Sequence, residues 1–206
     1  ERRSMAMSPE EKQITAYHEA GHALVNVLVP HTDPLHKVSI IPRGPALGVT
    51  MMLPNIERHT TSRKELLADL AVTMGGRVAE EVCLGDISSG ASGDIRQATW
   101  FARKMVCEWG MSDSLGMIQY EEREDLVFLG RDIGRTRSHS EATQQQIDHE
   151  VRRIITEAYE RAKGLITTHR DKLETIAKAL LEYETLDATH IREIIDHGRT
   201  LTPRPH

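Results

Sequence analysis

Two histidines lie four positions apart in residues 18–22, which read His-Glu-Ala-Gly-His. Residues four apart share one face of an α-helix, so the imidazoles of His18 and His22 can reach the same metal ion. Glu19 lies beside the first histidine, where it can take a proton from metal-activated water and pass it to a leaving amine. The spacing indicates a zinc peptidase with Glu19 as general base, although two surface histidines on an amphipathic helix would produce the same pattern.

A catalytic zinc usually has three protein ligands and one open position, so the pattern requires one more ligand. The metzincin extension would place glycine at position 25 and histidine at position 28, where this chain has Val25 and Leu28. Several carboxylates remain as candidates: Glu80, Glu81, Asp86 and Asp94. The two glutamates lie inside a predicted helix, where a solvated face or an ion pair would also explain them. Asp94 opens a helix, where an acidic residue also suits the helix dipole.

The helix that carries the histidines has clear limits in the sequence. Ser8 and Glu11 form a capping box, Pro9 suits the first helical position, and Pro30 ends the pattern. Gly21 lies on the apolar face of this helix and leaves room for a close neighbour.

A second capping box, Ser62 with Glu65, begins another helix, which Gly85 ends. Inside it, Gly75 and Gly76 each cost helix propensity, roughly 1 kcal/mol. We therefore expect a close approach of another helix at these glycines.

The rest of the chain is also mostly helical by its apolar periodicity. A third helix runs from about Asp94 to Trp109, and we expect Trp100 and Phe101 on it to be core residues. Residues 110–139 lack a sustained period and contain a candidate loop. From Glu141 the chain is helical again, and Asp187 can cap a last short helix.

Residues 37–41 and 48–52 are expected to form short strands, joined by a turn rich in proline and glycine. We expect an exposed sheet edge that binds an extended peptide substrate, formed by Gly48, Val49, Thr50 and Met51. The predicted fold class is mainly α, a helical metallopeptidase domain with a small β-sheet or hairpin near the N-terminal third. We predict one domain over residues 1–206, with a catalytic half at about 8–135 and a helical C-terminal half at about 140–197.

Composition and charge narrow the range of possible partners and cellular environments further. The formal net charge of -5 offers no electrostatic reason to expect a nucleic-acid partner. Cys83 and Cys107 are too few for a disulfide framework and are interpreted as buried free thiols. No apolar run is long enough to span a bilayer, so we expect a soluble chain. Its first five residues look like the middle of a longer protein.

Motifs along nearly the whole chain resemble the FtsH-type family of ATP-dependent zinc metalloproteases. The matching runs are YHEAGHAL (17–24), VSIIPRG (38–44), LGVT (47–50), MGGRVAEE (74–81), SGASGD (89–94), WGMS (109–112), LG (115–116), LL (180–181) and ETL (184–186). In that family the aspartate of the fifth run is the third zinc ligand, which implies that Asp94 holds one Zn²⁺ per chain together with His18 and His22. Gly93 departs from the family, which commonly has asparagine there.

The resemblance also implies that this domain belongs to a longer chain and to a larger assembly. It implies a homo-hexamer that degrades unfolded protein, with an AAA+ ATPase domain in the same full-length chain that alone uses ATP. No phosphate-loop motif occurs in these 206 residues. The resemblance implies a location at the bacterial inner membrane, with this domain on the cytoplasmic side, in preference to an organelle inner membrane. Apolar stripes in residues 140–195 and the Gly75-Gly76 surface are candidates for contacts within the ring.

Two other functions compete with an active peptidase. A catalytically inactive homologue would serve as a scaffold or a substrate-binding module, and a plain helical domain would carry its histidines by chance. The presence of His18, Glu19, His22 and Asp94 together favours the enzyme.

Overall fold

The computed structural model of the protein describes residues 6–54, 57–120 and 139–203. Within these ranges the chain forms six α-helices and a three-stranded antiparallel sheet, which confirms the predicted class. The helices are α1 (Pro9–Leu28), α2 (Arg63–Ala79), α3 (Ser92–Cys107), α4 (Glu141–Thr168), α5 (Arg170–Tyr183) and α6 (Ala188–His197). The strands are β1 (Leu35–Ser39), β2 (Val49–Met52) and β3 (Thr185–Asp187). Most of the candidate loop within residues 110–139 lies outside the described residues.

Helix α1 runs through the centre of the fold. Its capping box forms as predicted, because the Ser8 hydroxyl accepts from Glu11 N and the Glu11 carboxylate accepts from Ser8 N. Residues 15–26 are buried on every side of the helix. A helix buried all around must satisfy its polar side chains from neighbouring elements. Helices α2 and α5 are its main neighbours.

The predicted close approach of helices occurs between α1 and α2. A Cβ atom added to Gly21 would lie 2.2 Å from the carbonyl oxygen of Gly75, and one added to Gly75 would lie 2.7 Å from that of Gly21. The two backbones therefore touch where neither helix has a side chain. Because Gly75 and Gly76 are buried inside the domain, the expectation that they form a ring contact is wrong.

The sheet has the order β2-β1-β3. Among the residues that the structure describes, strand β2 pairs only with β1 and forms an edge, as predicted. Strand β1 begins and ends two residues earlier than the predicted segment at 37–41. Strand β3 was not predicted, since it has only three residues between two helices. It pairs with β1 and so joins the C-terminal half of the chain to the sheet.

Helices α4 and α5 bury their apolar stripes in the domain's own core. The buried members include Ile147, Ile154, Ile166, Leu173, Ile176 and Leu180. These side chains are therefore not available for contacts with another subunit. No helix in the described ranges is both long and apolar enough to cross a membrane.

The expectation for Trp100 is wrong. Helix α3 buries Ala98, Ala102, Met105 and Val106, which lie on one face at helical spacing. Trp100 lies off that face and is 52% exposed. Phe101 is partly buried and packs against the core.

Candidate metal centre and active-site cleft

Three side chains converge beside the middle of α1. The Nε2 atoms of His18 and His22 are 3.0 Å apart. The Oδ2 atom of Asp94, near the start of α3, lies 3.0 Å from His18 Nε2 and 3.4 Å from His22 Nε2. Among the described residues these three form the group that can hold one metal ion.

The spacing of these atoms fits a zinc ion. Tetrahedral zinc with bonds of about 2.0–2.1 Å separates its ligand atoms by about 3.3 Å. The three observed separations of 3.0–3.4 Å are close to that value. Two imidazoles and one carboxylate leave one tetrahedral position open, as catalytic sites require.

Both imidazoles are oriented through their other nitrogen. His22 Nδ1 lies 2.7 Å from the carbonyl oxygen of Val72 on α2, which can only accept a hydrogen bond. Its proton is therefore on Nδ1, and the Nε2 lone pair points to the metal position. His18 Nδ1 lies 2.8 Å from Glu80 Oε2 and is oriented in the same way.

Glu80 is buried here because the end of α2 changes geometry. The helix continues as a single π-helical turn over Glu80–Leu84, and Gly85 ends it in the left-handed conformation. The other carboxylate oxygen of Glu80 accepts from the Ser88 hydroxyl at 2.5 Å, just before the turn that leads into α3. Glu80 thus connects His18 to the segment that positions Asp94.

The other two acidic candidates lie elsewhere. Glu81 accepts hydrogen bonds from the Tyr159 hydroxyl on α4 at 2.6 and 2.8 Å. Asp86 is exposed and accepts a hydrogen bond from the neighbouring Ile87 N–H. Glu81 is thus bonded to a tyrosine hydroxyl, which is neither the solvated face nor the ion pair expected for it, whereas Glu80 contacts a histidine of the candidate site.

The electrostatics of the centre favour a cation. Burial lowers the pKa of His18, but hydrogen bonds to Asp94 and Glu80 and the nearby Glu19 outweigh it and raise the pKa to about 10. Burial raises the pKa of Asp94, yet hydrogen bonds and charge from His18 and His22 hold it well below its usual range. The carboxylates thus stabilise positive charge between the imidazoles, where a metal would supply it.

Glu19 lies at the wall of an open cleft of about 750 Å³. The three candidate ligands line the same cleft, together with residues 45–50, Met52, Val72 and Thr73. The Thr50 hydroxyl donates to Glu19 Oε2 at 2.5 Å. Glu19, the candidate ligands and residues of the edge strand β2 therefore line one cleft, with Thr50 in hydrogen-bond contact with Glu19.

Gly76 keeps the metal position open, a role that the sequence analysis missed. A Cβ atom added there would lie 2.6 Å from Nε2 of His18 and 2.6 Å from Nε2 of His22. Gly75 allows the close contact between α1 and α2, whereas Gly76 leaves space beside the two Nε2 atoms. The doubled glycine was the available signal, because helix packing alone explains only the first.

Known proteins match this chain over most of its length. The model of peptidase family M41 matches residues 5–194. The ATP-dependent zinc metalloprotease FtsH 2 of Methylacidiphilum infernorum is 64% identical over 203 residues, covering 98% of this chain and 32% of that protein. FtsH 4 of Sorangium cellulosum is 54% identical and FtsH of Akkermansia muciniphila 48%, covering 99% and 98% of this chain but 32% and 25% of those proteins. The chain thus spans about a third or less of these relatives, and it belongs to peptidase family M41.

Proposed function

We propose that this chain is a zinc-dependent endopeptidase domain in which His18, His22 and Asp94 hold the metal and Glu19 is the general base. The observation that carries the proposal is the convergence of two Nε2 atoms and one carboxylate oxygen within 3.0–3.4 Å, beside an open cleft. Glu80 and the Val72 carbonyl support it, since they orient both imidazoles toward the same point.

The chemistry divides between the metal and the protein. Zinc held there would act as a Lewis acid toward water and the scissile carbonyl. Glu19 would accept the proton of the attacking water and deliver it to the leaving nitrogen. Every hydrogen bond that the described residues make to its carboxylate is to Oε2, which leaves Oε1 for this transfer.

The substrate binds as a strand added to β2. Leu53 N donates to the Pro34 carbonyl, on the β1 side of the strand. Backbone groups alternate along a strand, so those of Val49 and Met51 face β1 and those of Thr50 face the free edge. Within the proposed substrate-binding segment of Gly48, Val49, Thr50 and Met51, the backbone groups of Thr50 can then offer an extended peptide hydrogen bonds that require little side-chain identity.

Zinc content and turnover of four proteins test the metal and base assignments. The wild-type chain should bind one zinc and cleave an unfolded, fluorescence-quenched peptide. Glu19→Gln should keep the zinc and lose at least about 100-fold in kcat, because only the proton acceptor changes. His22→Ala and Asp94→Ala should each lose zinc under the same dialysis. Absence of zinc from the carefully purified wild type, or near-normal turnover of Glu19→Gln, would contradict the proposal.

Backbone-modified peptides test the substrate strand. A peptide series with one N-methylated amide at each position in turn should show one or two positions where KM rises about tenfold or more, because strand pairing is lost there. The same peptides with methylated side chains serve as controls. Uniform KM values along the N-methyl series would show that the substrate does not pair with β2.

The whole protein is proposed to be an ATP-dependent, membrane-anchored protease of the bacterial inner membrane, with this domain on the cytoplasmic side. The relatives' names support ATP dependence and zinc. The family resemblance supports an AAA+ ATPase domain, a homo-hexamer and unfolded-protein substrates. This chain alone should then bind no ATP and should cleave unfolded peptides but not stable folded proteins. Light scattering should find hexamers in exchange with monomers. ATP-independent digestion of a stable folded protein by a strictly monomeric chain would refute the division between unfolding by the ATPase domain and hydrolysis by this domain.

A further inference from the structure

The edge strand β2 and the residue before it contact the Glu19 side chain at two points. The hydroxyl of Thr50 donates to Glu19 Oε2 at 2.5 Å and lies 3.3 Å from the Glu19 carbonyl oxygen. A Cβ atom added to Gly48 would lie 3.0 Å from Glu19 Cγ, so the backbone just before the strand also packs on the methylene part of the side chain. Hydrogen bonds to a charged group are stronger than neutral ones, and this one is also partly buried.

The direction of the Thr50 side chain follows from the sheet. Thr50 is paired with Val38 of β1, and directly opposite residues project from the same face of a sheet. Val38 is fully buried, so that face is the one turned toward the helices. The hydroxyl of Thr50 therefore points to α1, while its backbone groups point to the free edge. One residue contacts the base through its side chain and faces the substrate position through its backbone.

We propose that Thr50 is a positioning residue for the general base, fixing the Glu19 carboxylate through Oε2 so that Oε1 is presented to the attacking water. This inference rests on the proposed function, because it assigns Glu19 that role. Thr50 touches no reacting atom and acts only through Glu19.

The proposal makes kcat and KM separable. Thr50→Val has the same shape and keeps the backbone N–H at the edge, but it removes the hydroxyl. The Glu19 carboxylate then rotates more freely, and the reaction loses orientation without losing substrate affinity. We expect kcat to fall about tenfold, with KM within about twofold of the wild type. Thr50→Ser restores the hydroxyl and should return kcat to within about threefold of the wild type.

The sheet offers a matched control on its opposite edge. Thr185 lies on β3, and its hydroxyl is 2.9 Å from that of Ser39. Thr185→Val removes a hydroxyl from an edge strand of the same sheet without touching Glu19, so kcat should stay within about twofold of the wild type. All variants should bind one zinc, measured before each assay. Loss of zinc in folded Thr50→Val, or equal kcat losses in the two valine variants, would overturn the positioning role.

A readout independent of turnover uses crystal structures of the zinc-free and zinc-loaded protein. The Thr50 hydroxyl should lie within hydrogen-bond distance of Glu19 Oε2 in the wild type, and the carboxylate should rotate or become disordered in Thr50→Val or, if that variant is unstable, Thr50→Ala. An unchanged carboxylate, or a wild-type hydroxyl directed elsewhere, would refute the proposal. If the zinc-loaded wild type cleaved nothing while these structures showed the expected change, the proposed function would fail and the contact between Thr50 and Glu19 would stand.

Discussion

The cleft formed by α1, α2, α3 and β2 and the helical layer of α4 to α6 bury different kinds of side chain. The cleft buries His18, Glu19, His22 and Glu80, each with a partner from another element. The helical layer buries mainly isoleucine, leucine and alanine, with Glu150 and His190 as its buried polar residues. Buried polar groups are costly unless they are satisfied, and the four in the cleft are satisfied by contacts between elements that bring chemically active side chains together.

Replacing a glycine by alanine should weaken zinc binding in the cleft but stabilise the fold in the helical layer. The loss of zinc affinity is the largest effect that we predict. Gly76→Ala places a methyl group against both Nε2 atoms, so zinc affinity should fall at least about 100-fold. Gly164→Ala on α4 meets nothing within 4 Å and should stabilise the helix by up to about 1 kcal/mol. Zinc titration and urea unfolding measure the pair. Normal zinc affinity in Gly76→Ala would show that this glycine is not needed to keep the metal position open.

A cavity in the helical layer should cost stability but leave the site intact. Leu180 is fully buried in the core, so Leu180→Ala should lower the free energy of unfolding by about 2–5 kcal/mol. The folded fraction should still bind one zinc per chain, because no ligand or orienting group lies on α5. Urea unfolding followed by zinc analysis of the folded protein measures both quantities. Weakened zinc binding by the folded variant would show that the two regions are not separable.

Two adjacent glutamates sharpen the comparison further, since one faces each region. Glu80→Gln keeps the shape but removes the charge beside His18, so zinc affinity should fall about tenfold. Glu81→Gln weakens the hydrogen bonds from Tyr159 on α4, so stability should fall by about 1 kcal/mol with zinc affinity unchanged. A chelator competition assay distinguishes them. A solvated face or an ion pair, the alternatives that the sequence left open for both residues, would instead leave zinc affinity unchanged in both variants.

The smallest effect concerns Asp69 on α2, a partly buried carboxylate outside the site. Burial raises its pKa to about 6, with Asp33 adding to the rise, Arg58 opposing it and Glu65 adding again. Because the folded-state pKa lies above the unfolded one, ionisation of Asp69 destabilises the native state progressively as the pH rises from about 4 through 6.

Asp69→Asn should therefore raise the melting temperature at pH 7.5, and the gain should disappear near pH 4. Asp113→Asn is the control, because that side chain is 93% exposed and its ion pair with Arg63 lies at the surface. Thermal unfolding of the three proteins across this pH range measures the difference. A gain that is equal at both ends of the range would disprove the linkage.

Local features of the sequence determined much of this protein. The starts of α1 and α2 follow from hydrogen bonds between residues three apart, so Ser8 with Glu11 and Ser62 with Glu65 were sufficient to predict them. The spacing of His18 and His22 follows from helix geometry alone. The edge position of β2 also followed from short-range signals, namely a strand beside a turn rich in proline and glycine.

Only the tertiary structure decided which distant groups meet. The residues themselves left four acidic candidates for the third ligand, and the family resemblance implied Asp94, which lies 76 positions from His18. The burial of Glu80, the pairing of β3 with β1 and the contact of Thr50 with Glu19 have no local signature. Each depends on how intervening turns direct the chain, such as the π-helical turn after α2, and a hydrogen bond between residues far apart in sequence forms only once those paths are set.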